Sequence, residues 1–364
     1  MDKSLIEKIK KIENNIALII PAYEPNENLL ILLKQIRQDY AGTIVVINDG
    51  SGSEYSSYYE IAKETYRCDV LTHYANMGKG RALKNAFNHC LNTYSDMIGC
   101  VTADSDGQHL PEDIFRCMSE LYDNQHSLIM GCRDFSLDDV PTRSKIGNNF
   151  MKVMCRYTCG VKTADTQTGL RGIPRDFMRD LLNTTGERFE FETWMLIDAK
   201  NKYPIHDITI QTVYESKENH QSHYNTVRDS YRIGKIFAKI FIKFLLSSLS
   251  STVVDLLIFN ALCPIMRPIS ALYYITLSTA IARVISATYN YLINYKLVFK
   301  SSETHTKSAA KYFLLALVQM GCSAVLTTIG VMLLSASNET AVKAFVDVCL
   351  FFISYGIQRA FVFK

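Results

Sequence analysis

The sequence predicts a mostly parallel α/β domain followed by an all-α domain of four membrane-spanning helices. Three observations support this fold class. Short apolar runs rich in Val and Ile, at 16–20 and 43–47, alternate with helical patterns, and carboxylates and glycines directly follow such runs. From about residue 241, long apolar stretches alternate with short polar ones. We therefore place one domain at 1–235, ending in a basic juxtamembrane segment, and the second at 236–364.

The overall composition hides this division. The 364 residues carry a net charge of +3 and are 48% hydrophobic, which is ordinary for a chain with room for two domains. Residues 1–15 are charged and helical in pattern, without the apolar core of a signal peptide, so we expect none. Ten cysteines are scattered without a C-x-x-C pair, which indicates reduced thiols rather than a zinc site or a disulfide framework.

The central motif of the α/β domain is the stretch 103–109, Ala-Asp-Ser-Asp-Gly-Gln-His, which follows an apolar run predicted to be a buried strand. Residues at i and i+2 on extended backbone share a face, so Asp104 and Asp106 are expected to point the same way, just beyond the carboxyl end of the strand. Open α/β sheets bind ligands at that edge. Two carboxylates with the amide oxygen of Gln108 suit Mg²⁺ or Mn²⁺. A lone D-x-D is also compatible with a solvated acidic turn.

Two upstream motifs lie at equivalent places. Asp49 ends the second predicted strand, where a carboxylate commonly holds a ribose or a base edge, although an Asp-Gly turn explains it equally well. Glycines flank Lys79 just before a helical pattern, and a helix N-terminus offers N–H groups to an anion. The spacing matches neither a P-loop nor a dinucleotide-binding fingerprint.

Basic residues follow the metal-site strand. Arg133 follows the next predicted strand, 127–131, and Arg143 and Lys145 lie in the loop or short helix after it. Such residues are commonly solvated surface charge, but their position also favours an anionic acceptor.

Taken together and in order, these motifs resemble the glycosyltransferase family 2 enzymes of the polyprenyl-phosphate (dolichyl-phosphate) type. The matching segments are 20–23 (Ile-Pro-Ala-Tyr), 48–51 (Asn-Asp-Gly-Ser), 76–80, 104–112 and 165–171 (Asp-Thr-Gln-Thr-Gly-Leu-Arg). The resemblance covers roughly 15–230. It implies a Rossmann-like GT-A fold, a nucleotide-diphosphate sugar donor and a divalent cation.

Carried onto this sequence, the resemblance assigns roles to individual residues. Asp104, Asp106 and Gln108 match the metal-binding positions, with Asp104 also facing the donor, and Asp104 and Asp106 count among the catalytic residues. Lys79 would lie near the diphosphate. Arg133 and Arg143 would meet the lipid phosphate, with Lys145 an alternative to Arg143. The nucleoside pocket would be lined by Pro21, Ala22, Tyr23, Glu24 and Asp49.

The predicted reaction is inverting, metal-dependent transfer of a sugar to a polyprenyl (undecaprenyl) phosphate for cell-surface polysaccharide synthesis. A phosphate acceptor is largely ionised near neutral pH and needs no strong general base. Processive synthases are disfavoured because the only tryptophan, Trp194, lacks their Q-x-x-R-W context. Two alternatives stay open: a translocator of lipid-linked sugars whose soluble domain only binds nucleotide sugars, and an anchored enzyme acting on a glycan or protein, with Glu190 or Glu192 as base.

The apolar region predicts spans at about 241–263, 272–297, 311–334 and 342–361. Basic residues flank the link between the second and third spans and the C-terminus, so the positive-inside rule predicts a multi-pass protein of the cell (plasma) membrane with the catalytic domain and both termini cytoplasmic. The expected partners are the donor, the lipid acceptor and the bilayer, with no nucleic acid. The sequence leaves homo-oligomer formation open.

The last two spans repeat the first two. Residues 291–300 align with 355–364, and Lys243 and Phe244 align with Lys311 and Tyr312. In this register Arg283 and Asp347 are equivalent. Because a charge in mid-membrane is costly, we expect both residues, and Asp255, to face the bundle interior. Arg283 and Asp347 are a candidate pair. Two roles would explain these polar residues equally: they hold the helices together, or they line a path for a lipid or a sugar. The region resembles the GtrA-like four-span family, associated with moving polyprenyl-linked sugars, through Asp255, Asn290, Asn294 and the 358–363 ending that contains Arg359.

Overall fold

The computed structural model describes residues 2–135, 142–200, 202–211, 226–269, 272–299, 301–334 and 339–363. The chain separates into two compact units. The first comprises Met1–Arg156 and Val161–Gly234, and the second comprises Tyr157–Gly160 and Lys235–Lys364.

The first unit is a seven-stranded sheet flanked by helices. Its strands are β1 (Ile16–Ala22), β2 (Ile44–Asn48), β3 (Asp69–Thr72), β4 (Gly99–Thr102), β5 (Leu128–Arg133), β6 (Arg171–Pro174) and β7 (Ile205–Ile210). Its helices are α1 (Lys3–Ile12), α2 (Glu27–Ile36), α3 (Ser56–Glu64), α4 (Lys79–Thr93), α5 (Pro111–Asp123), α6 (Thr142–Met154), α7 (Arg175–Leu181) and α8 (Glu190–Ala199).

The strand order is β3-β2-β1-β4-β6-β5-β7. All neighbours pair in parallel except β6, which runs antiparallel to both β4 and β5. The predicted mostly parallel α/β sheet is therefore confirmed, and β6 is a strand that the polar pattern of 165–171 did not indicate. Because β5 and β4 both oppose β6, the carboxyl ends of β1, β2, β4 and β5 meet at one edge.

The core of this unit consists of side chains from both faces of the sheet. Leu18, Val46 and Val101 on the central strands are fully buried, as are Leu33 of α2 and Phe115 of α5. Strands buried on both faces explain the near-continuous apolar runs seen in the sequence. This rigid sheet holds the loops at its carboxyl edge in place.

The second unit contains four long helices, α9 (Thr226–Met266), α10 (Tyr274–Ile293), α11 (His305–Leu334) and α12 (Glu339–Ile357). Among the described residues, three helices are long and apolar enough to cross a membrane, at Arg228–Met266, His305–Leu333 and Ala341–Val362. The fourth expected span corresponds to α10. Its 20 residues include Arg283, Asn290 and several hydroxyl side chains, which lower its mean hydropathy.

The internal repeat continues into local backbone geometry. Both α10 and α12 end in a five-residue π-helical turn, Asn294–Val298 and Gln358–Val362, at positions that the repeat register makes equivalent. The equivalent Phe299 and Phe363 stack with ring centroids 5.1 Å apart. The two halves are therefore similar helical hairpins, each ending in an irregular turn of the kind that often marks functional sites.

Candidate active site

The carboxyl edge of the sheet encloses a cavity of about 600 Å³. This volume is within the range of sites that bind small molecules. Nine residues assigned to the donor, metal and acceptor from the sequence line it: Pro21, Ala22, Tyr23, Asp49, Lys79, Asp104, Asp106, Gln108 and Arg133.

The acidic pair lies in the loop that follows β4. The side-chain amide of Asn28 donates to the backbone carbonyl of Asp106 (2.8 Å), and the backbone N–H of Gln108 donates to Oδ1 of Asp106 (3.0 Å). Burial and the negative charge of Asp104 raise the pKa of Asp106. The loop is thus anchored so that two carboxylates face one cavity.

Lys79, the first residue of α4, supplies a cation to this acidic cluster. Its Nζ lies 2.7 Å from Oδ1 of Asp104 and 3.0 Å from Oε1 of Glu192. Burial disfavours the ionised form of Asp104. The charges and hydrogen bonds of Lys79 and His109 outweigh this effect of burial and hold the pKa of Asp104 well below its usual range. Burial lowers the pKa of Lys79, but the carboxylates of Asp104 and Glu192 outweigh burial and raise it. The cluster therefore favours a positive charge beside Asp104.

The oxygen donors at this position fit a hard divalent cation. Two carboxylates and one amide oxygen are the ligands that Mg²⁺ and Mn²⁺ prefer, and the ammonium at Asp104 shows that the site accommodates a cation. Within the described residues, no group of three or more His, Cys, Asp or Glu side chains forms a metal site. A metal here would therefore depend on further ligands such as substrate phosphates or water.

Asp49 holds the neighbouring loop through hydrogen bonds to its carboxylate. Its carboxylate accepts from the backbone N–H groups of Met77 (3.0 Å) and Gly78 (2.7 Å) and lies 2.7 Å from Nδ1 of His73. Gly78 has φ +99°, and a Cβ there would lie 2.4 Å from Cγ of Arg188. Asp49 thus fixes the turn that delivers the N-terminus of α4 to the cavity.

The first strand contributes the opposite wall. Pro21, Ala22 and Tyr23 line the cavity at the end of β1, whereas Glu24 does not. Glu24 adopts φ +47°, and its backbone N–H donates to Oγ of Ser51 (2.8 Å). Its place in this turn directs the chain from β1 toward α2.

Arg133 is held by a buried carboxylate. Its Nε and Nη2 donate to Asp165 at 2.6 and 3.1 Å, and the Asp165 side chain is fully buried. Arg133 still lines the cavity, but as one half of a bidentate ion pair. Arg143 belongs to α6, and its side chain lies outside the described residues.

In the second unit, the charged residues pair differently from the expected arrangement. Arg283 Nη1 lies 3.8 Å from Oδ2 of Asp255, whereas Asp347 accepts from Ser323 (2.5 Å) and Lys343 (2.9 Å). The side chains of Arg283 and Asp347 are 73% and 47% exposed. The expected interior pair of Arg283 with Asp347 is therefore wrong, because each residue pairs within its own helical hairpin.

Three polar residues of the GtrA-like motif, Asn290, Asn294 and Gln358, form one hydrogen-bonded network. Asn294 donates to Oδ1 of Asn290 (2.7 Å) and to Oε1 of Gln358 (3.3 Å), its equivalent in the repeat. Arg359 is nearly buried and donates to the backbone carbonyl of Phe299 (3.3 Å). These side chains connect the two hairpins.

Comparison with known families agrees with this division of the chain. Residues 17–182 match the family described as Glycosyl transferase family 2, and residues 243–363 match the family described as GtrA/DPMS, transmembrane domain. Residues 17–182 are therefore a family 2 glycosyltransferase domain, and residues 243–363 are a GtrA/DPMS membrane domain. The mostly parallel sheet lies in the glycosyltransferase domain, and the transmembrane domain makes this a membrane protein.

Curated relatives match the glycosyltransferase domain. An uncharacterized protein of Methanocaldococcus jannaschii is 28% identical over 216 residues, covering 58% of this chain and 86% of the relative. The UDP-N-acetylglucosamine–dolichyl-phosphate N-acetylglucosaminyltransferase of Methanococcus voltae is 26% identical over 220 residues, covering 55% and 86%. Among solved structures, mannosyl-3-phosphoglycerate synthase of Rubrobacter xylanophilus has a TM-score of 0.46 at 12% identity, covering 63% and 73%.

The glycosyltransferase cavity also contains residues that the motifs did not assign. Arg188 lines it and donates to Oδ1 of Asn76 (2.9 Å), and Glu192, considered only as a base, shares Lys79 with Asp104. The dense charge of 187–192 was the available signal. It could not be interpreted because only the fold brings this segment to α4.

The Arg133–Asp165 pair leads to a stability prediction. In Arg133→Met, the fully buried Asp165 loses its cation, and breaking such a pair costs about 3–5 kcal/mol. We expect the melting temperature of the purified full chain to fall by about 10 °C, at roughly 2–4 °C per kcal/mol for a domain of this size. Arg179→Met is the control, since its pair with Asp176 is largely exposed and such pairs contribute little. An unchanged melting temperature for Arg133→Met would show that Arg133 does not stabilise Asp165.

Proposed function

We propose that the glycosyltransferase domain transfers a sugar from a nucleotide-diphosphate sugar to a polyprenyl phosphate. The observation that carries the proposal is the shared cavity of about 600 Å³, where Asp104, Asp106 and Gln108 face Lys79 at the start of α4. An acidic pair beside a helix N-terminus and a lysine suits a metal-bound diphosphate. The GtrA/DPMS membrane domain supports a lipid acceptor.

The donor would lie across the carboxyl edge of the sheet. Pro21, Ala22 and Tyr23 would contact the nucleoside, while Asp49 would act through the turn that it holds. Lys79 would then bind the diphosphate. Asp104, Asp106 and Gln108 would hold Mg²⁺ or Mn²⁺, which as a Lewis acid stabilises the charge on the departing diphosphate.

The chemistry needs little from a general base. The glycosidic C–O bond of the donor breaks, a C–O bond to a phosphate oxygen of the acceptor forms, and nucleoside diphosphate leaves. A phosphate monoester has its second pKa near about 6, so the nucleophile is already ionised at neutral pH. Of the two candidate bases in the alternative chemistry, Glu192 is paired with Lys79, and Glu190 accepts from the backbone N–H groups of Glu187 and Arg188. These contacts favour a phosphate over a sugar hydroxyl as acceptor.

The chain must also bring two anions together. Arg133 would place a fixed guanidinium at the cavity, with Asp165 setting its orientation. Arg143 is the proposed second contact to the acceptor phosphate. The relative from Methanococcus voltae is named for a dolichyl-phosphate acceptor and a UDP-N-acetylglucosamine donor, which makes these the first substrates to test.

Transfer to lipid is tested with purified full-length protein and radiolabelled UDP-N-acetylglucosamine, UDP-glucose and GDP-mannose in turn. We expect label to enter the organic phase only when undecaprenyl or dolichyl phosphate and Mn²⁺ or Mg²⁺ are present. Label on a glycan or protein, with none on lipid, would favour the anchored-enzyme alternative. Donor binding without turnover of any donor would favour a translocator, and either result would overturn the proposal.

The proposed orientation follows from the charged flanks of the spans. Lys296 and Lys307 flank the link between α10 and α11, and the positive-inside rule places such links in the cytoplasm. We propose a multi-pass protein of the cell membrane with the catalytic domain and both termini in the cytoplasm, where nucleotide sugars are made.

A further inference from the structure

Four residues of the chain belong to the second unit although they lie within the sequence of the first. Tyr157–Gly160 is assigned to the second unit, whereas the residues on both sides of it are assigned to the first. It includes the end of a five-residue π-helical turn, Cys155–Cys159, that follows α6. Gly160 then has φ +71°, a conformation that favours glycine. We call Tyr157–Gly160 the inserted segment.

The membrane domain holds the inserted segment by its backbone carbonyls. The hydroxyl of Tyr355 donates to the carbonyl of Thr158 (2.8 Å), and the guanidinium of Arg359 donates to the carbonyl of Cys159. Tyr355 is fully buried, and Arg359 is 9% exposed. These bonds are therefore shielded from water, and they fix the main chain of the segment.

The internal repeat shows what side chains at these two positions bind in the first hairpin. In the repeat register Tyr291 is equivalent to Tyr355, and Tyr295 is equivalent to Arg359. The hydroxyls of Tyr291 and Tyr295 donate to two backbone carbonyls at the start of α11 and just before it, at 3.0 and 2.6 Å. A neutral tyrosine therefore serves in the first hairpin, and packing of a hairpin alone does not account for a buried guanidinium at Arg359.

Residues of the candidate active site follow the inserted segment almost directly. Thr163 donates to Oδ1 of Asp207 (2.8 Å), and Asp165 forms the buried pair with Arg133. Only residues 161 and 162 separate the inserted segment from Thr163. Each residue extends a chain by at most about 3.3–3.6 Å, so two residues give it little slack. A shift of the inserted segment would therefore be passed along the main chain to Asp165.

We propose that Tyr355 and Arg359 are positioning residues for the transfer reaction. By holding the inserted segment, they set the place of Asp165 and, through Asp165, the orientation of the Arg133 guanidinium at the cavity. The inference rests on the proposed function, in which Arg133 meets the acceptor phosphate. Lys79 and the end of β1, which would bind the donor, belong to other stretches of the chain. The effect is therefore expected on the acceptor and not on the donor.

The kinetic test compares two tyrosines that the repeat makes equivalent. Full-length protein in lipid nanodiscs is assayed with UDP-N-acetylglucosamine, Mn²⁺ and undecaprenyl phosphate, with the concentration of each substrate varied in turn. We expect Tyr355→Phe to raise the KM for the lipid by about 2- to 10-fold, since a hydrogen bond contributes about 0.5–1.5 kcal/mol. The KM for the donor stays unchanged. Tyr291→Phe is the control, because it loses the matching bond and a second one to Ser308 (2.8 Å) yet should change neither KM.

Arg359 provides a second variant with a larger expected effect. Arg359→Met should raise the KM for the lipid by about 10-fold or more, because hydrogen bonds from charged groups contribute about 1.5–3 kcal/mol. Arg359→Lys keeps a charged donor and should recover part of the loss. Hydrogen exchange measured without substrates should show faster exchange of the backbone amides of 161–167 in Tyr355→Phe and Arg359→Met, and wild-type exchange in Tyr291→Phe.

The remaining outcomes overturn the proposal. A rise in the KM for the donor equal to that for the lipid, or the same rise in Tyr291→Phe, would mean that the variants only loosen the membrane domain. Wild-type exchange at 161–167 in both Tyr355→Phe and Arg359→Met would mean that these residues do not hold the segment. If the wild-type protein transferred no sugar to lipid, the proposed function would fail, and the exchange comparison alone would decide this inference.

Discussion

Asp106→Asn is expected to lower the rate of sugar transfer by about 100-fold or more. The substitution removes one of the two carboxylates that would hold the metal, and a metal contributes several kcal/mol to stabilising charge in the transition state. It leaves the ion pair between Lys79 and Asp104 in place, so the local fold is expected to persist. Initial rates with saturating donor and acceptor measure the effect.

Metal binding provides a second measurement for the same variant. Titration with Mn²⁺ followed by electron paramagnetic resonance should show weaker binding to Asp106→Asn, in the presence of nucleoside diphosphate. Asp176→Asn is the control, because Asp176 is an exposed carboxylate on α7 whose partner is Arg179. Full turnover and unchanged Mn²⁺ affinity in Asp106→Asn would contradict the assignment of the metal site.

Lys79→Met is expected to raise the KM for the donor by about 10- to 100-fold, since a hydrogen bond to a charged group contributes about 1.5–3 kcal/mol. The substitution keeps the length of the side chain and removes the ammonium that would bind the diphosphate. It also deprives Asp104 and Glu192 of their shared cation, so the melting temperature without metal should fall. Added Mn²⁺ should restore part of that loss, because the metal supplies positive charge at Asp104.

Lys202→Met is the control for this variant. Lys202 pairs with Asp180 at 2.9 Å, and its side chain is 60% exposed, so neither KM nor the melting temperature should change. If the KM of Lys79→Met stayed at the wild-type value while the melting temperature fell, Lys79 would be a structural residue only.

The position of the acidic motif was predictable from local rules. A buried apolar strand followed by carboxylates at i and i+2 defines both an edge of the sheet and a direction, and Asp104 and Asp106 do line one cavity. Glycines before a helix likewise indicated the turn at Gly78. These features depend on a few neighbouring residues, so the sequence pattern contains them.

Long-range partners were not predictable in this way. Arg133 and Asp165 are 32 residues apart, and the sequence showed Asp165 only as the first residue of the matching segment 165–171, without a partner. β6 was missed because Arg171 and Pro174 are unusual for a central strand. The fold offsets this by burying Arg171 with hydrogen bonds from its guanidinium to the backbone carbonyls of Thr168 (2.9 Å) and Glu192 (2.8 Å).

In the membrane domain too, the repeat was predictable from the sequence, but the partners of the charged side chains were not. The repeat register was visible from matching residues such as 291–300 and 355–364, and equivalent side chains do meet, as Asn294 and Gln358 do. The partner of each charge was not visible, because helix packing selects it. Arg283 pairs with Asp255 on the preceding helix rather than with its own equivalent.

We propose that a sugar, and not a sugar phosphate, passes from the nucleotide to a lipid phosphate. The most direct measurement is the stoichiometry of products from purified protein, donor and undecaprenyl phosphate, with the nucleotide quantified by chromatography and the lipid by mass spectrometry. We expect one nucleoside diphosphate for each lipid carrying a single phosphate and one sugar. Release of nucleoside monophosphate with a lipid carrying two phosphates, or nucleoside diphosphate with no glycolipid, would contradict the account.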